Sequence, residues 1–343
     1  MSARYPGGLI TKTPVIPSGP YQCSTAPGIW TIDQMLTWQK AGLWPSATGG
    51  QAPGTFAIFA IGRSSCCASS VATKNKYTYS GDVNSIATSA TIPSRYQSAV
   101  GNSTRGIFAL GQSLACGAVA TRNKHTYSGC VVSSATSAST GNWQGSAAGN
   151  STTGIFALSY NNSSTIIATR NKYTYSSDTN GTAAAASIPS REGSAAGTST
   201  VGIFALASFC CCGSLTGTAT RDKYTYSSCT NGSATSASTA GGGLGAASGN
   251  STVGIFAIGG ATTTRNKYTY SGDVNAVATA SSAGSGGGSA AGNSTIGIFA
   301  IGQNLTTRNK YTYSGDTSVS ATASSITTLY GSATSNGTTG VNI

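Results

Sequence analysis

The stretch GIFALSYNNSSTIIATRNKYTYSSD (residues 154–178) contains two phrases that recur in fixed order along the chain. The first phrase, an Ile-Phe-Ala strand, occurs six times and begins at Ile58, Ile107, Ile155, Ile203, Ile255 and Ile298. The second phrase, a basic residue followed by Asn or Asp, Lys and an aromatic strand, begins at Lys74, Arg122, Arg170, Arg221, Arg265 and Arg308. An internal period of about fifty residues predicts a repeat fold.

Each copy has the pattern of four short strands. In the third copy, a small-residue strand at 146–148 turns at Gly149 and Asn150 into the strand at 154–158, because Gly and Asn favour tight turns. A third strand carries the aromatic Tyr173 and Tyr175, and a fourth strand, rich in Thr and Ala, follows the next turn. Four strands per copy correspond to one propeller blade.

The Ile-Phe-Ala strand is apolar on both faces. Side chains alternate along a strand, so Ile155 and Ala157 share one face while Phe156 and Leu158 share the other. This pattern predicts a strand covered on both sides, as in blades stacked around an axis. We therefore expect an all-β fold, a six-bladed β-propeller of four-stranded blades over residues 46–343. A β-helix is the alternative, although its coils are usually shorter.

The two ends of the repeat array complement each other. Residues 332–343 (SATSNGTTGVNI) align with residues 146–157 (SAAGNSTTGIFA), so the chain ends on the opening of a seventh, unfinished unit. In the first copy Pro53, which cannot donate to a strand ladder, interrupts the corresponding strand. We expect the C-terminal strand to complete the first blade, which also removes open sheet edges.

The composition favours a neutral, hydroxyl-rich surface with a basic excess. Only 8% of residues are charged, and Lys plus Arg (19) exceed Asp plus Glu (7), giving a net charge of +12. Such a charge favours polyanionic partners such as acidic glycans, nucleic acid or acidic subunits. The sequence predicts no membrane span and no secretory signal. The 9 cysteines are irregularly spaced, and we expect mostly reduced thiols.

The segment before the repeats, residues 1–45, is predicted to be an extended arm with one short helix. Thr31 followed by Gln34 fits a capping box, and Gly42 and Pro45 mark the end of the helix. A helix of about ten residues is marginal alone. Its apolar residues must therefore be buried against either the propeller or another subunit, and these anchoring residues are Trp30, Trp38, Leu43 and Trp44.

Two resemblances extend this interpretation. The order of small-residue strand, GIFAIGG (residues 254–260), TTTRNKYTYSGD (262–273) and Thr/Ala strand resembles the kelch-type propeller blade, although most copies lack the second glycine and the tryptophan of that family. Residues 24–45 (STAPGIWTIDQMLTWQKAGLWP) resemble a segment of bacteriophage virion proteins, including tail-fibre and adhesin-like proteins, and the TRNKYTYSGD repeats look like those of phage-associated repeat proteins. The first resemblance implies a kelch-like propeller, and the second implies a virion protein.

Residues that could perform catalysis are scarce. The chain has 1 His and 7 carboxylates, and His125 stands where the other blades have Tyr. Four carboxylates occupy one repeat position, directly after the Tyr-Thr-Tyr strand, where two blades have Cys130 and Cys229; the four are Asp82, Asp178, Asp273 and Asp316. We expect turn residues there rather than a Ca²⁺ site. We predict no enzyme, no catalytic residue, no metal site and no cofactor.

Twelve of the 19 basic residues fall at two repeat positions, two residues apart on one strand face. The pairs are Lys74/Lys76, Arg122/Lys124, Arg170/Lys172, Arg221/Lys223, Arg265/Lys267 and Arg308/Lys310. Two interpretations stay open: a polyanion-binding ring, or hydrogen bonds and charge-assisted links between blades. Nucleic acid is the least favoured ligand, because the aromatic residues lie within strands.

We expect a phage virion structural protein, a tail fibre, tail tip or other host-attachment component located in the virion. Variable loops on a constant scaffold favour recognition, and these loops span residues 62–71, 111–119, 159–167 and 207–217. The expected partners are other virion subunits through the N-terminal segment, a host-surface glycan and further copies in a homo-oligomer. A capsid decoration or cement protein and a bacterial cell-surface repeat protein are the alternatives.

Overall fold

The six repeats form six four-stranded antiparallel sheets, which are the blades of a β-propeller. The computed structural model describes residues 31–40, 54–64, 69–113, 117–163, 165–211 and 214–337. Each inner strand contacts the inner strands of the two flanking blades, so the ring closes around an axis. The predicted fold class is confirmed, and the alternative of a β-helix is wrong.

Each blade has an inner, a second, a third and an outer strand, in that order from the axis. The inner strands of blades 1 to 6 are β30 (Ser332–Ser335), β5 (Ser98–Gly101), β11 (Ser146–Gly149), β16 (Ser194–Gly197), β22 (Ala246–Gly249) and β26 (Ser289–Gly292). The second strands are β1 (Phe56–Ala60), β6 (Arg105–Ala109), β12 (Thr153–Ala157), β17 (Val201–Ala205), β23 (Val253–Ala257) and β27 (Ile296–Ala300).

The third strands are β2 (Lys74–Thr78), β8 (Arg122–Thr126), β14 (Arg170–Thr174), β20 (Arg221–Thr225), β24 (Arg265–Thr269) and β28 (Arg308–Thr312). The outer strands are β3 (Val83–Ala87), β9 (Val131–Ala135), β15 (Thr179–Ala183), β21 (Thr230–Ala234), β25 (Val274–Ala278) and β29 (Thr317–Ala321). Three two-stranded antiparallel sheets lie outside the blades: β4 (Ser94–Arg95) with β7 (Gln112–Ser113), β10 (Asn142–Trp143) with β13 (Tyr160–Asn161), and β18 (Ser208–Cys211) with β19 (Ser214–Gly217).

The C-terminal strand closes the first blade, as predicted. Strand β30 pairs antiparallel with β1, with Ala57 opposite Ser335 and Ala60 opposite Ser332. Because β1 also pairs with β2, it lies in the interior of its sheet. The closure therefore leaves no open edge on β1.

Asn336 joins the C-terminal strand β30 to the start of β1 through hydrogen bonds. We call this contact between Gly54 and Asn336 the chain junction. Oδ1 of Asn336 accepts hydrogen bonds from the backbone N–H of Thr55 (2.9 Å) and Phe56 (3.0 Å), and its carbonyl accepts one from Gly54 (2.9 Å). In blade 2 the side chain of Asn102 caps the N–H groups of the residues two and three positions later in the same way. Asn336 thus makes between two distant chain segments the hydrogen bonds that Asn102 makes within one turn.

The core lies between the blades. Ile155, Phe156 and Leu158 are all buried, so both faces of the Ile-Phe-Ala strand are covered, as predicted. At the seam between blades 6 and 1, Phe59 and Ile298 belong to one hydrophobic cluster. Burying a side chain of this size stabilises the fold by about 1.5–3 kcal/mol. The packing of each blade against its neighbours is therefore the main source of stability.

Paired glycines make room for the second tyrosine of the Tyr-Thr-Tyr phrase. In blade 4, Gly197 lies opposite Gly202 on the inner and second strands. A Cβ atom on Gly202 would lie 2.7 Å from Oη of Tyr226, too close for any side chain. The glycines therefore recur in the same blades as the tyrosine, because their missing side chains leave space for its hydroxyl group.

The helix α1 (Ile32–Lys40) begins with the predicted capping box. The N–H of Gln34 donates to Oγ1 of Thr31 (3.2 Å), and the N–H of Thr31 donates to Oε1 of Gln34 (2.9 Å). The side chains of Ile32 and Leu36 are exposed. None of the helices among the described residues has the length and apolarity needed to cross a membrane. The boundary between residues 1–45 and 46–343 stays a prediction.

Candidate functional site

The first members of the six basic pairs lie buried between blades rather than on the surface. All six are at most 1% exposed, namely Lys74, Arg122, Arg170, Arg221, Arg265 and Arg308. Each of the five arginines places its guanidinium over a Phe ring of the next blade, at 4.4 to 4.7 Å from the ring centroid. A bound polyanion could therefore reach only the second members of the pairs.

Arg308 shows the bonding of this position. Its Nη1 donates to Oδ1 of Asn84 (2.8 Å) and its Nη2 to Oδ1 of Asn75 (3.4 Å), both in blade 1. Burial lowers the pKa of Arg308 to about 10, which leaves the guanidinium charged at neutral pH. In blade 3, Arg170 donates to a carboxylate instead, Oδ2 of Asp222 at 2.7 Å. These contacts correspond to the inter-blade interpretation of the pairs.

The second members of the pairs are half-buried lysines, and three of them contact an aspartate in the turn of the next blade. Lys124 Nζ lies 2.9 Å from Asp178 Oδ2, and Lys267 Nζ lies 3.5 Å from Asp316 Oδ2. Lys310 makes the corresponding contact with Asp82 at 3.9 Å. These lysines already have carboxylate partners, which weakens their attraction for an external anion.

The remaining second members, Lys76, Lys172 and Lys223, are also half-buried but form no ion pair among the described residues. Lys172 Nζ donates to the sulfur of Cys229 at 3.4 Å, because its neighbouring blade has cysteine at the aspartate position. The charge of Lys223 helps to lower the pKa of Asp273 without a direct contact. The Lys76 amine lies 4.6 Å from the Phe56 ring centroid.

These placements bear on the two interpretations of the basic pairs, and the polyanion-binding ring stays a prediction. The neighbouring blade covers the six first members and engages three of the second members in ion pairs. The three half-buried lysines that form no ion pair among the described residues, Lys76, Lys172 and Lys223, belong to blades 1, 3 and 4.

The four repeat aspartates are turn residues, as expected. They and the two equivalent cysteines have positive φ angles of 47° to 55°, at Asp82, Cys130, Asp178, Cys229, Asp273 and Asp316. Burial alone would raise the pKa of Asp82, but hydrogen bonds from Tyr77 and Thr322 hold it below its ordinary value. The Cys229 thiol is free of a disulfide. Among the described residues, no group of three or more His, Cys, Asp or Glu side chains could hold a metal ion.

The seam between blades 1 and 2 differs from the other five. Lys74 replaces arginine there, and Val132 occupies the outer-strand position that provides Asn84 in blade 1. The Lys74 amine lies 4.1 Å from the Phe108 ring centroid and has no hydrogen-bond acceptor among the described residues. Burial lowers the pKa of Lys74 to about 7 and, with the charges of Lys74 and Lys76, that of His125 to about 3. His125 is buried against Tyr127 as an aromatic replacement.

At one end of the axis, six residues form a closed ring of backbone hydrogen bonds. Each N–H donates to the carbonyl of the equivalent residue in the preceding blade, over 2.6 to 3.2 Å. These residues, here called the axial ring, are Tyr96, Gln144, Glu192, Leu244, Gly287 and Tyr330. All six have positive φ angles of 55° to 66°, which is uncommon for residues other than glycine. The backbone alone forms the ring, so the side chain at each position is free to vary.

Four half-buried aromatic side chains form a continuous surface beside the axial ring. The Tyr330 ring stacks on Tyr96 with centroids 4.0 Å apart, and Tyr96 contacts Trp143 at 5.0 Å. Trp143 in turn contacts Tyr160 edge-on at 4.8 Å. We call Tyr330, Tyr96, Trp143 and Tyr160 the aromatic strip. It crosses from blade 1 to blade 3 and borders a pocket in the centre of the axial ring.

Charged and amide side chains surround the aromatic strip. The guanidinium carbon of Arg95 lies 5.6 Å from the Tyr96 centroid, and that of Arg191 lies 5.5 Å from the Tyr160 centroid. Gln144 Nε2 donates to Glu192 Oε1 (2.8 Å), and Arg191 Nε lies 3.7 Å from the same oxygen. Burial raises the pKa of Glu192, against the opposing effects of Arg191 and Gln144. The site therefore combines flat apolar surface with both donors and acceptors.

The variable loops lie at the same end of the propeller as the axial ring. In the loop at 159–167, Tyr160 pairs with Trp143, and in the loop at 111–119, Gln112 pairs with Arg95. In the loop at 62–71, Arg63 bridges to Leu329, next to Tyr330. Parts of these loops, residues 65–68, 114–116, 164 and 212–213, lie outside the described residues. The described parts of the loops at 62–71, 111–119 and 159–167 thus lie beside the aromatic strip.

The predicted anchoring residues are not placed by the structure. Trp30, Leu43 and Trp44 lie outside the described residues, as does the side chain of Trp38. The anchoring function of the N-terminal segment stays a prediction.

The aromatic strip was not identified from the sequence. A signal exists, however, at the position two residues before each inner strand, which is Tyr, Gln, Glu, Leu, Gly and Tyr in the six blades. The neighbouring strands hardly vary, so a variable position in this place indicates a residue that the fold does not constrain. Trp143 and Tyr160 do not occupy that repeat position. Only folding places their side chains beside Tyr96.

The comparisons with known proteins agree with the fold. No protein family model matches the chain, and no curated protein matches it. Among solved structures, the chain is similar to the structure of YjhT. The TM-score is 0.54 at 9% sequence identity, and the match covers 74% of this chain and 94% of that chain. At this identity the likeness concerns the fold alone.

Proposed function

We propose that this chain is a non-enzymatic attachment component of a phage virion, a tail fibre or tail-tip protein, which binds a host-surface glycan through the aromatic strip. The observation that carries the proposal is the aromatic strip itself: four aromatic rings in contact, beside a ring held only by backbone bonds. The fold does not need aromatic side chains at these places. Their presence therefore supports a role in recognition.

The chemistry of the strip suits a sugar. Carbohydrates present apolar C–H faces, which stack on aromatic rings, and hydroxyl groups, which need hydrogen-bond partners around the stack. The half-buried Tyr96, Trp143 and Tyr160 provide flat apolar surface, and the amide of Gln144 and the carboxylate of Glu192 lie beside them. Binding sites for small ligands generally combine aromatic walls with a few polar groups in this manner.

The proposal that the site binds a glycan without cleaving it rests on the number of carboxylates in the pocket. Most glycoside hydrolases use a pair of carboxyl groups on either side of the scissile bond. Among the described residues, Glu192 is the one carboxylate that lines the axial pocket. A single carboxylate favours holding a glycan over cleaving it.

The virion part of the proposal is supported by the N-terminal segment. Its resemblance to phage virion proteins motivates the assignment, and the exposed apolar side chains of Ile32 and Leu36 on α1 suit a helix that is completed by another subunit. We propose that this segment anchors the chain to virion subunits and that the virion carries several copies. The capsid decoration protein and the bacterial cell-surface protein remain the rival functions.

Binding of purified, labelled protein to a panel of bacterial strains tests the proposal. We expect binding to at least one strain, competition by surface polysaccharide purified from that strain, and at least tenfold weaker binding by a Trp143→Ala variant. Ile86→Ala is the matched control, since Ile86 is an exposed apolar residue on the outer strand of blade 1, away from the strip. A decoration protein predicts no binding to cells, and a role of the variable loops without the strip predicts equal binding by both variants.

A further inference from the structure

Two arginines contact rings of the aromatic strip. Arg95 lies over Tyr96, the second ring from the Tyr330 end, and Arg191 lies over Tyr160 at the opposite end. Both arginines immediately precede an axial-ring residue, and the same position in the other four blades holds Trp143, Gly243, Gly286 and Leu329. Neither arginine therefore belongs to the repeating structural cations. Both arginines are found in blades where an aromatic ring of the strip lies beside them.

Arg95 has a neutral partner instead of a carboxylate. Its Nε donates to the amide oxygen Oε1 of Gln112 at 2.8 Å. Among the described residues, no carboxylate forms an ion pair with its side chain. This arrangement contrasts with Lys124, whose ammonium group has the carboxylate of Asp178 at 2.9 Å. The unneutralised, half-buried guanidinium of Arg95 therefore attracts an anion more strongly than the paired repeat lysines do.

The balance of charge around the strip is positive. Arg63, Arg95 and Arg191 lie at this end of the propeller, whereas Glu192 is the carboxylate in contact with Arg191. Because Glu192 is itself held by Gln144 and Arg191, it leaves the region with an excess of positive charge. Guanidinium groups bind carboxylates and sulfates through paired hydrogen bonds, which adds geometric selectivity to this attraction.

Resting on the proposed function, we propose that the ligand of the aromatic strip is an acidic glycan, whose sugar rings lie along the strip and whose anionic groups pair with Arg95 and Arg191. Two separated cations with aromatic rings between them match a chain of sugars that carries more than one acidic group. An acidic peptide would satisfy the arginines but would leave the stacked rings without flat partners. The ligand class is therefore a carboxylated or sulfated oligosaccharide.

An array of acidic oligosaccharides tests this inference. The array contains hexuronate, sialylated and sulfated oligosaccharides, each beside its carboxyl-reduced or desulfated counterpart, together with an acidic peptide. We expect binding to at least one acidic member and at least tenfold weaker binding to its neutral counterpart. Raising the salt concentration weakens binding to the acidic member, because ion pairs contribute to it. An Arg95→Gln, Arg191→Gln double variant loses at least tenfold in affinity.

The matched control is the Lys267→Gln, Lys310→Gln double variant, which makes the same change of charge at the repeat lysines. Melting temperatures of both double variants establish that each remains folded. Equal binding to neutral and acidic members overturns the charge inference and leaves the proposed glycan function intact, whereas binding to no saccharide overturns both. Loss of binding in the lysine variant but not in the arginine variant would assign the ligand to the repeat lysines instead. Preference for the acidic peptide overturns the assignment to a glycan.

Discussion

Nη1 of Arg308 in the last blade donates a 2.8 Å hydrogen bond to Oδ1 of Asn84 in the first blade. The same guanidinium lies 4.5 Å from the ring centroid of Phe59, so one side chain links the two blades by both a hydrogen bond and a cation–π contact. Lys310 lies two residues further along the same strand and carries the same charge, but its side chain is nearer the surface. The two cations therefore have different roles, although the sequence repeats them as a pair.

The Arg308→Ala substitution is expected to lower the free energy of unfolding by about 3 kcal/mol or more, because it removes a buried charged donor and its packing on Phe59. Lys310→Ala is the control and is expected to lower it by less than about 1 kcal/mol, as is usual for an ion pair in contact with solvent. Urea denaturation of both variants measures the difference. Equal losses would contradict the separate roles of the two positions.

Asn336 is expected to contribute strongly to the closure of the ring. Asn336→Ala removes the acceptor of two backbone N–H groups, those of Thr55 and the buried Phe56, and we expect a loss of about 2 kcal/mol. Removal of residues 332–343 is expected to lose several kcal/mol more, because it also exposes the edge of β1. Thermal unfolding of both variants tests this prediction. A truncated chain that melts like the intact one would show that β30 does not close the ring in solution.

The buried Lys74 is expected to make stability rise with pH between about 7 and 10.5. Burial depresses its folded-state pKa to about 7, so over this range the unfolded chain binds a proton that the folded chain does not. The penalty is complete below pH 7. We expect Lys74→Met to be more stable than the natural chain at pH 7, and this gain to shrink by about 2 kcal/mol at pH 9.

Denaturant unfolding at the two pH values measures this effect. Lys76→Met is the control, since it removes the same charge at a half-buried position on the same strand. A gain from Lys74→Met that is the same at both pH values would mean that the amine is solvated in the folded protein.

The N-terminal segment is expected to anchor the chain rather than to stabilise the propeller. A Trp38→Ala, Trp44→Ala double variant is therefore expected to melt near the natural temperature but to be absent from assembled particles. An anchoring Trp contributes about 2 kcal/mol or more to an interface. Calorimetry and particle incorporation measure the two properties. A much lower melting temperature with normal incorporation of the folded fraction would assign the segment to the propeller core.

Most of the cysteines are expected to be free. Cys130 and Cys229 occupy the turn position that carries Asp in the four other blades, which indicates that neither is needed for a repeated disulfide. Titration of the denatured, unreduced protein with a thiol reagent is expected to count more than half of the 9 cysteines. A count of three or fewer would indicate a disulfide framework.

The fold could be predicted because the residues that form it repeat. The glycines, the Ile-Phe-Ala strand and the Tyr-Thr-Tyr strand recur with the blades, and the unfinished seventh copy predicted the closure by β30. Period-two geometry also placed Arg308 and Lys310 on one strand face. This geometry could not show that the neighbouring blade covers Arg308 and leaves Lys310 half-buried. The burial of each side chain depends on its distance from the edge of the interface between the blades.

The aromatic strip could not be predicted because its members have no common period. Tyr96 and Tyr330 occupy the axial ring, Trp143 precedes it, and Tyr160 belongs to a loop of blade 3. Ring closure adds the C-terminal strand β30 to blade 1, and only then does Tyr330 stack on Tyr96 of blade 2. Contacts of this kind depend on the completed ring, which no local pattern describes.

The chain junction at Gly54 and Asn336 also determines how the molecule would carry mechanical load. Gly54 leads into the start of β1, whereas the axial ring lies at the opposite end of that strand, where Ala60 meets Ser332. A virion that holds the N-terminal segment and a cell that holds the strip would therefore pull along β1. Because β30 and β2 flank this strand, the force is shared by two ladders of hydrogen bonds in shear, instead of peeling one edge strand bond by bond.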